Sequence, residues 1–269
     1  MRLPRAIIFA ASALATACHA RPAVVTNNPP PAPPAVTDGR GVLRLMQQHY
    51  AKQWFRTLSF SQRTTTYATS GRETKGVWHE YLAVPGRLRI DYTPLSEHSG
   101  VLFAGNAIHS FVNGKVAAKQ GGWNPALILI ADVYVQPVDT SAWQLDSLGF
   151  KTSIVRRDSL GGRAMWVVGA ARGDTTSSQF WVDTDSLLVR RLIQKQITPQ
   201  RTSVTDIRLG AYTDVGGYPV AFEILFYRDG RLFFREDYYD AAVNQPIAPD
   251  VFDPATFVSS QIKRGTPAK

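Results

Sequence analysis

Residues 72–92 read RETKGVWHEYLAVPGRLRIDY, two runs of strand-forming residues that meet at Pro85-Gly86. In the second run Leu88, Ile90 and Tyr92 fall on one face, and Arg87, Arg89 and Asp91 on the other. Successive side chains of a strand point to opposite faces, so this pattern predicts a β-hairpin with one apolar and one wet face. In the first run Trp78, Leu82 and Val84 share a face by the same alternation.

Similar alternation recurs on both sides of this hairpin. Upstream, residues 58–68 are rich in Thr, Phe and Tyr and read as a strand. Before them Val42, Met46, Tyr50 and Trp54 recur every four residues, which predicts a helix over 42–54 capped by Thr37 or Asp38. Downstream, Asn113-Gly114 turns the strand 107–112 into 115–120, because both residue types tolerate positive φ. Asn124-Pro125 then opens a helix, with Asn as cap and Pro at the first helical position. The run that follows, Ala126 to Tyr134 (ALILIADVY), is apolar on every side and predicts a segment buried all round. A second short helix is expected over 140–148, capped by Asp139 or Ser141 and ended by Gly149. Strands then resume as far as Val243. Val220, Phe222, Ile224 and Phe226 give the clearest apolar stripe, echoed by Leu232, Phe234 and Tyr238. The fold class is therefore mainly β (α+β): one antiparallel meander of about eleven strands with short helices, forming a single domain over 41–257.

The front of the chain reads as an export signal over residues 1–17, with Arg2 and Arg5 before an apolar run from Ala6 to Ala17. Ala15-Thr16-Ala17 is a small-residue cleavage site, and Cys18, the one cysteine, follows it. Leu14 to Cys18 resembles a bacterial lipobox, in which the cysteine becomes the lipidated first residue; ordinary cleavage leaving a free Cys18 is the alternative. Residues 18–40 are Pro-rich and read as a tether, at ~3.1 Å per residue where polyproline-like. Residues 258–269 read as a polar tail.

Apolar residues make up 44% and charged residues 19% of the 269, enough for a folded core. The formal charge is +9, and removal of Arg2 and Arg5 with the leader lowers it by two to +7. The basic residues are scattered, so nucleic-acid binding is not expected. One cysteine supports neither a disulfide framework nor a thiolate metal site, and no metal or cofactor is expected. No G-x-S-x-G elbow, P-loop, Rossmann signature or H-E-x-x-H occurs. His79 and His109 lie singly on strands. Asp183 and Asp185 share a turn, where Asp satisfies local backbone donors, and Asp91 beside Arg89 reads as a surface ion pair. An enzyme is not expected, and a hydrolase using a strand His or Asp is the minority reading.

The order of these features resembles the LolA/LolB-like lipoprotein carriers. The resemblance is carried by Trp78, Pro85, Leu88, Ile90 and Tyr92, by Asn113-Gly114, by Leu127 to Ile130, by Phe180 to Asp183, and by Phe252 with Pro254. It implies an unclosed half-barrel whose single curved antiparallel sheet is lidded or plugged by the short helices. It also implies an apolar cavity that takes acyl chains of lipoproteins or phospholipid. The residues assigned to that cavity are Trp78, Leu82, Leu88, Ile90, Tyr92, Phe111, Leu127, Ile128, Ile130, Trp181, Phe222, Ile224 and Phe226. The bland alternative is that these side chains fill a solid core. The soluble carrier of that family has an arginine before the matching proline, where it helps close the lid; here the position is Val84. The membrane-anchored acceptor has a protruding leucine loop, and Pro94-Leu95 stands at the similar place as a membrane contact. The expectation is a monomeric envelope lipoprotein, held through lipidated Cys18 at the outer membrane and facing the periplasm. A sensor or scaffold of the same fold, binding lipid or a protein partner without transport, is the second reading.

Overall fold

In this computed structural model residues 35–51, 53–199 and 201–262 are described. The leader, Cys18, the tether as far as Pro34 and residues 263–269 of the tail lie outside them.

The chain opens with helix α1 (Gly39–His49), whose cap is Asp38: its Oδ1 accepts from the Gly41 amide at 2.8 Å. Six strands follow: β1 (Thr57–Tyr67), β2 (Glu73–Ala83), β3 (Arg87–Tyr92), β4 (Gly100–Ala104), β5 (Ala107–Val112) and β6 (Lys115–Gly121). The middle holds α2 (Pro125–Ile130), a 3-10 turn (Asp132–Tyr134) and α3 (Val138–Ser147). Seven more strands follow among the described residues, before two 3-10 turns (Pro249–Phe252 and Pro254–Thr256): β7 (Val155–Leu160), β8 (Arg163–Val168), β9 (Gln179–Asp183), β10 (Val189–Ile197), β11 (Thr202–Val215), β12 (Tyr218–Arg228) and β13 (Arg231–Val243).

All thirteen strands join one antiparallel sheet, two more than expected. Its order is β6-β5-β4-β3-β2-β1-β13-β12-β11-β10-β9-β8-β7. The sheet is thus two meanders sewn together where the first strand meets the last, with Leu58 opposite Val243 and Thr66 opposite Phe234. The two edges, β6 and β7, flank the helical segment in sequence and do not pair, so the barrel stays unclosed. The hairpin at 72–92 forms as predicted, with Leu82 opposite Leu88 and Trp78 opposite Tyr92. Asn113 (φ 49°) and Gly114 (φ 73°) both take the left-handed conformation that their turn requires.

The helices differ from expectation mainly at their ends. Helix α1 stops at His49, and Trp54 turns back to lie over Tyr134 with ring centroids 3.8 Å apart. Asn124 caps α2 as expected, accepting from Ala126 N at 2.9 Å. The apolar run 126–134 is broken at Ala131 into α2 and the 3-10 turn. Helix α3 begins at Val138 after Pro137, with no side-chain cap: Asp139 instead pairs with Arg40, and Ser141 Oγ bonds Gln136 Nε2 at 2.9 Å. Val42, Leu43 and Met46 of α1 and Ala142 and Leu145 of α3 are fully buried in the main core between helices and sheet. At Gly39 the approach to the sheet is so close that a Cβ would lie 2.4 Å from Val168 Cγ1 and 2.7 Å from the Thr152 carbonyl.

The opposite face of the hairpin is not wet. Arg89 and Asp91 are 0% and 1% exposed, so their pairing is buried and not the surface contact expected. The pair is bidentate, Nε to Oδ2 and Nη2 to Oδ1, both at 2.9 Å. The cover comes from the C-terminal segment: Val251, Phe252 and Phe257 join Tyr81, Ala83, Leu102 and Phe111 in a second core. Arg89 also donates to the Phe257 carbonyl at 2.6 Å and to Ser260 Oγ at 2.9 Å. Ser260, read from sequence as tail, is therefore tied into the domain. This cover was illegible locally because the segment that provides it lies some 160 residues downstream of the strand it covers.

Candidate functional site

The inner face of the sheet and the helical segment enclose a cavity of about 320 Å³. Strand alternation builds its wall. Leu58 and Phe60 come from β1, Glu80 and Leu82 from β2, Leu88 and Ile90 from β3, and Ile224 and Phe226 from β12. Leu192, Ile207 and Leu209 extend the wall on β10 and β11. The lid is α2, which contributes Ala126, Leu127, Leu129 and Ile130, with Trp54 and Tyr134 at its end. Ligand sites commonly run from ~300 Å³ upward and are mostly apolar with a few placed polar groups, and this cavity has that character.

The lid is fastened to the organising hairpin. The Gly86 amide, at the turn between β2 and β3, donates to Asp132 Oδ1 at 2.9 Å. Asp132 lies two residues past the end of α2 and is 2% exposed. Burial pushes its carboxyl up to about 6, with the Gly86 hydrogen bond pulling in the other direction. Val84, where the resemblance places an arginine, is buried in the main core.

Of the residues assigned from sequence, Leu82, Leu88, Ile90, Leu127, Ile130, Ile224 and Phe226 line the cavity. The structure places six elsewhere. Trp78 and Tyr92 pack with ring centroids 4.5 Å apart on the same sheet face but farther along it, and Trp78 is joined to the cavity wall through Phe234 and Phe226. Ile128 turns to the far side of α2, into a small recess with Phe103 and Trp123. Phe222 packs on the core without reaching the cavity. Phe111 stacks on Phe257 at 3.8 Å in the second core, and Trp181 packs with Met165 and Val167 on the outer face, 5.2 Å from the Arg156 and Arg191 guanidiniums. An apolar residue marks the cavity face only where the other face is wet, and near β5 and β9 it is not. Pro94 is exposed and Leu95 half-buried, in a 3-10 turn over 95–97.

Sequence reasoning missed the polar residues of the cavity. Glu80 and Glu236 both line it, with Gln194, Tyr212 and Tyr238. Tyr238 donates to Glu236 Oε2 at 3.0 Å. Burial raises both carboxyls: Glu80 well above its ordinary value, with Glu236 adding to the effect, and Glu236 to about 7 against the pull of the Tyr238 hydrogen bond. The signal was present in the alternation. Glu80 stands between Trp78 and Leu82, and Glu236 between Phe234 and Tyr238, in stripes already assigned inward.

The other candidate groups hold structural contacts. Ser61 Oγ and His79 Nδ1 are 2.9 Å apart and buried on the outer face. Asp183 Oδ1 accepts from Asp185 N and Ser186 N at 3.0 and 3.1 Å, and Arg163 bonds its other oxygen at 3.0 Å. Among the described residues no group of three His, Cys, Asp or Glu side chains is placed to hold a metal ion.

The sheet matches that of a LolA superfamily protein from Nitrosomonas europaea at a TM-score of 0.51 and 14% identity, over 81% of this chain and 98% of that one. The fold is LolA-like. A DUF1329 family protein from Desulfovibrio piger is similar at a TM-score of 0.53 and 10% identity, over 81% and 97% of the two chains. No family model matches the sequence, and no curated protein is significantly similar to it. The LolA-like architecture explains why the helices sit where they do: an open sheet leaves a gap, and the lid fills it.

Proposed function

We propose that this protein is an envelope lipoprotein that binds acyl chains, of lipoproteins or of phospholipid, in its apolar cavity. The observation that carries the reading is the hollow itself, about 320 Å³ between sheet and lid. At ~30 Å³ per water-sized group it has room for roughly ten such groups, about the size of methylenes. Burying ten methylenes at ~0.8 kcal/mol each is worth roughly 8 kcal/mol before association costs, so the wall alone supplies useful affinity. The export leader and the lipobox-like stretch ending at Cys18 support delivery to the bacterial envelope, with anchoring at the outer membrane facing the periplasm. No catalytic step is part of the reading.

The test is displacement of a fluorescent fatty-acyl probe, with native mass spectrometry of protein isolated from its own membrane. Ile130 is half-buried and lines the cavity. Ile130→Trp should fill the space and weaken probe binding at least ten-fold while leaving the melting temperature within a few degrees. Unchanged probe affinity in a folded Ile130→Trp protein, or a wild-type chain that carries no lipid and binds no probe, refutes the acyl-binding reading.

A further inference from the structure

The cavity is not uniformly greasy, and its two acids stand on strands that share one neighbour. Glu80 is 4% exposed and faces the hollow, where burial and the neighbouring Glu236 both disfavour its charged form. Glu236 faces the same hollow from β13. The strand between them is β1, which pairs with both β2 and β13. Gln62 lies on it, opposite Trp78 on one side and Tyr238 on the other. Gln62 is 0% exposed and lies against Glu236, yet neither its Nε2 nor its Oε1 finds a hydrogen-bond partner of normal geometry. Buried polar groups are ordinarily paired, and leaving one unpaired costs ~1–3 kcal/mol. Glu80 and Glu236 on the wall, with the unpaired Gln62 amide on the strand between them, mark a place where something else completes the bonding.

We propose that the Glu80–Gln62–Glu236 cluster receives the head of a long-chain amphiphile whose polar group donates hydrogen bonds and carries no negative charge, such as a primary amine or an alcohol. The inference rests on the acyl-binding reading of the same cavity. Ionised, the two carboxyls offer acceptors alone, beside the amide oxygen of Gln62. Among the described residues no lysine or arginine lines the cavity to neutralise a ligand carboxylate or phosphate. An anionic head would instead add a third acid to two carboxyls already disfavoured as charges by burial. A cationic amine would reverse that penalty, and an alcohol would satisfy the acceptors without adding charge. The other titratable groups near the pair are tyrosines, Tyr92 on β3 and Tyr238 on β13, whose burial keeps them neutral.

The experiment is calorimetric or probe-displacement titration of the full-length chain with decylamine, decanol and decanoate, at fixed pH and below their micelle concentrations. The wild-type protein should bind decylamine at least ten-fold more tightly than decanoate, with decanol between them. In the Glu80→Gln, Glu236→Gln double variant the amine and the carboxylate should fall within three-fold of each other, while decanol affinity stays within three-fold of wild type. If wild type binds all three equally, or prefers decanoate, the head-group inference is overturned and the acyl cavity stands. If none of the three binds, the cavity reading fails and takes this one with it. Should the double variant not fold by circular dichroism, the single Glu236→Gln variant and the wild-type ranking decide in its place.

Discussion

Asp132 shows how one side chain ties the lid to the wall. Its carboxyl accepts the Gly86 amide at 2.9 Å from a nearly dry site, and burial raises it from 3.8 to about 6. A carboxyl whose folded value lies above its unfolded value binds its proton more readily in the native state. Its contribution to stability is therefore complete below about 3.8 and lost as the pH rises through about 6. At ~1.4 kcal/mol per unit the swing is on the order of 3 kcal/mol. Asp132→Asn keeps an acceptor for Gly86 and removes the titration. Urea unfolding between pH 4 and pH 7 should show a smaller loss of stability on raising pH in the variant than in wild type. Identical pH slopes would mean that Asp132 is not desolvated in solution. At this scale the sequence was readable but under-read. Glu80 and Glu236 sit in inward stripes by simple alternation, but a stripe is defined by its apolar members and a charge within it reads as an interruption. Asp132 was hidden differently: it is embedded in an apolar run, and only the arrival of Gly86, 46 residues upstream, gives it a partner.

At the scale of elements the hairpin of residues 72–92 was legible in type and turn, because period-two alternation and Pro-Gly are local signals. Helix α2 and its Asn-Pro start were legible for the same reason. The covered outer face was not. Its cover is a non-repetitive C-terminal segment of 3-10 turns, fixed by Arg89 reaching two of its carbonyls and Ser260, with its guanidinium 4.1 Å from the Phe257 ring. Removing one partner of such a buried pair leaves the other charge uncompensated, which typically costs 3–5 kcal/mol. Arg89→Ala should therefore lower stability by about that amount and release residues 247–262 to protease before the sheet unfolds. Limited proteolysis with mass mapping reads this directly. Retained protection of that segment would show that Phe252 and Phe257 hold it without the arginine.

At the scale of the whole molecule the chain closes on itself at β1 and β13, a pairing between residues some 185 apart that no local pattern announces. That seam explains why a plain meander was expected and two joined meanders were found. It also ranks the strands. Central β1, β2, β12 and β13 have partners on both sides, whereas β6 is exposed along its whole length and β7 carries Arg156, Arg157 and Asp158 at the other margin. Charged, solvated margins resist edge-to-edge association. Amide exchange in the native state should accordingly be slowest in β1 and β13 and fastest in β6 and β7. A uniform protection pattern across the thirteen strands would contradict this ranking.

The unjoined margins have a mechanical meaning. In a closed barrel, strand number and stagger together dictate the girth, and no guest can change it without breaking a ladder. Here the two rims, β6 and β7, are bridged only by the polypeptide that also forms the roof. The wall is free to splay or curl by small changes in twist summed over thirteen strands, with every inter-strand bond kept. On the acyl-binding proposal, one chain can thus fit itself to tails of differing thickness, as a sleeve with an open seam fits more than one wrist.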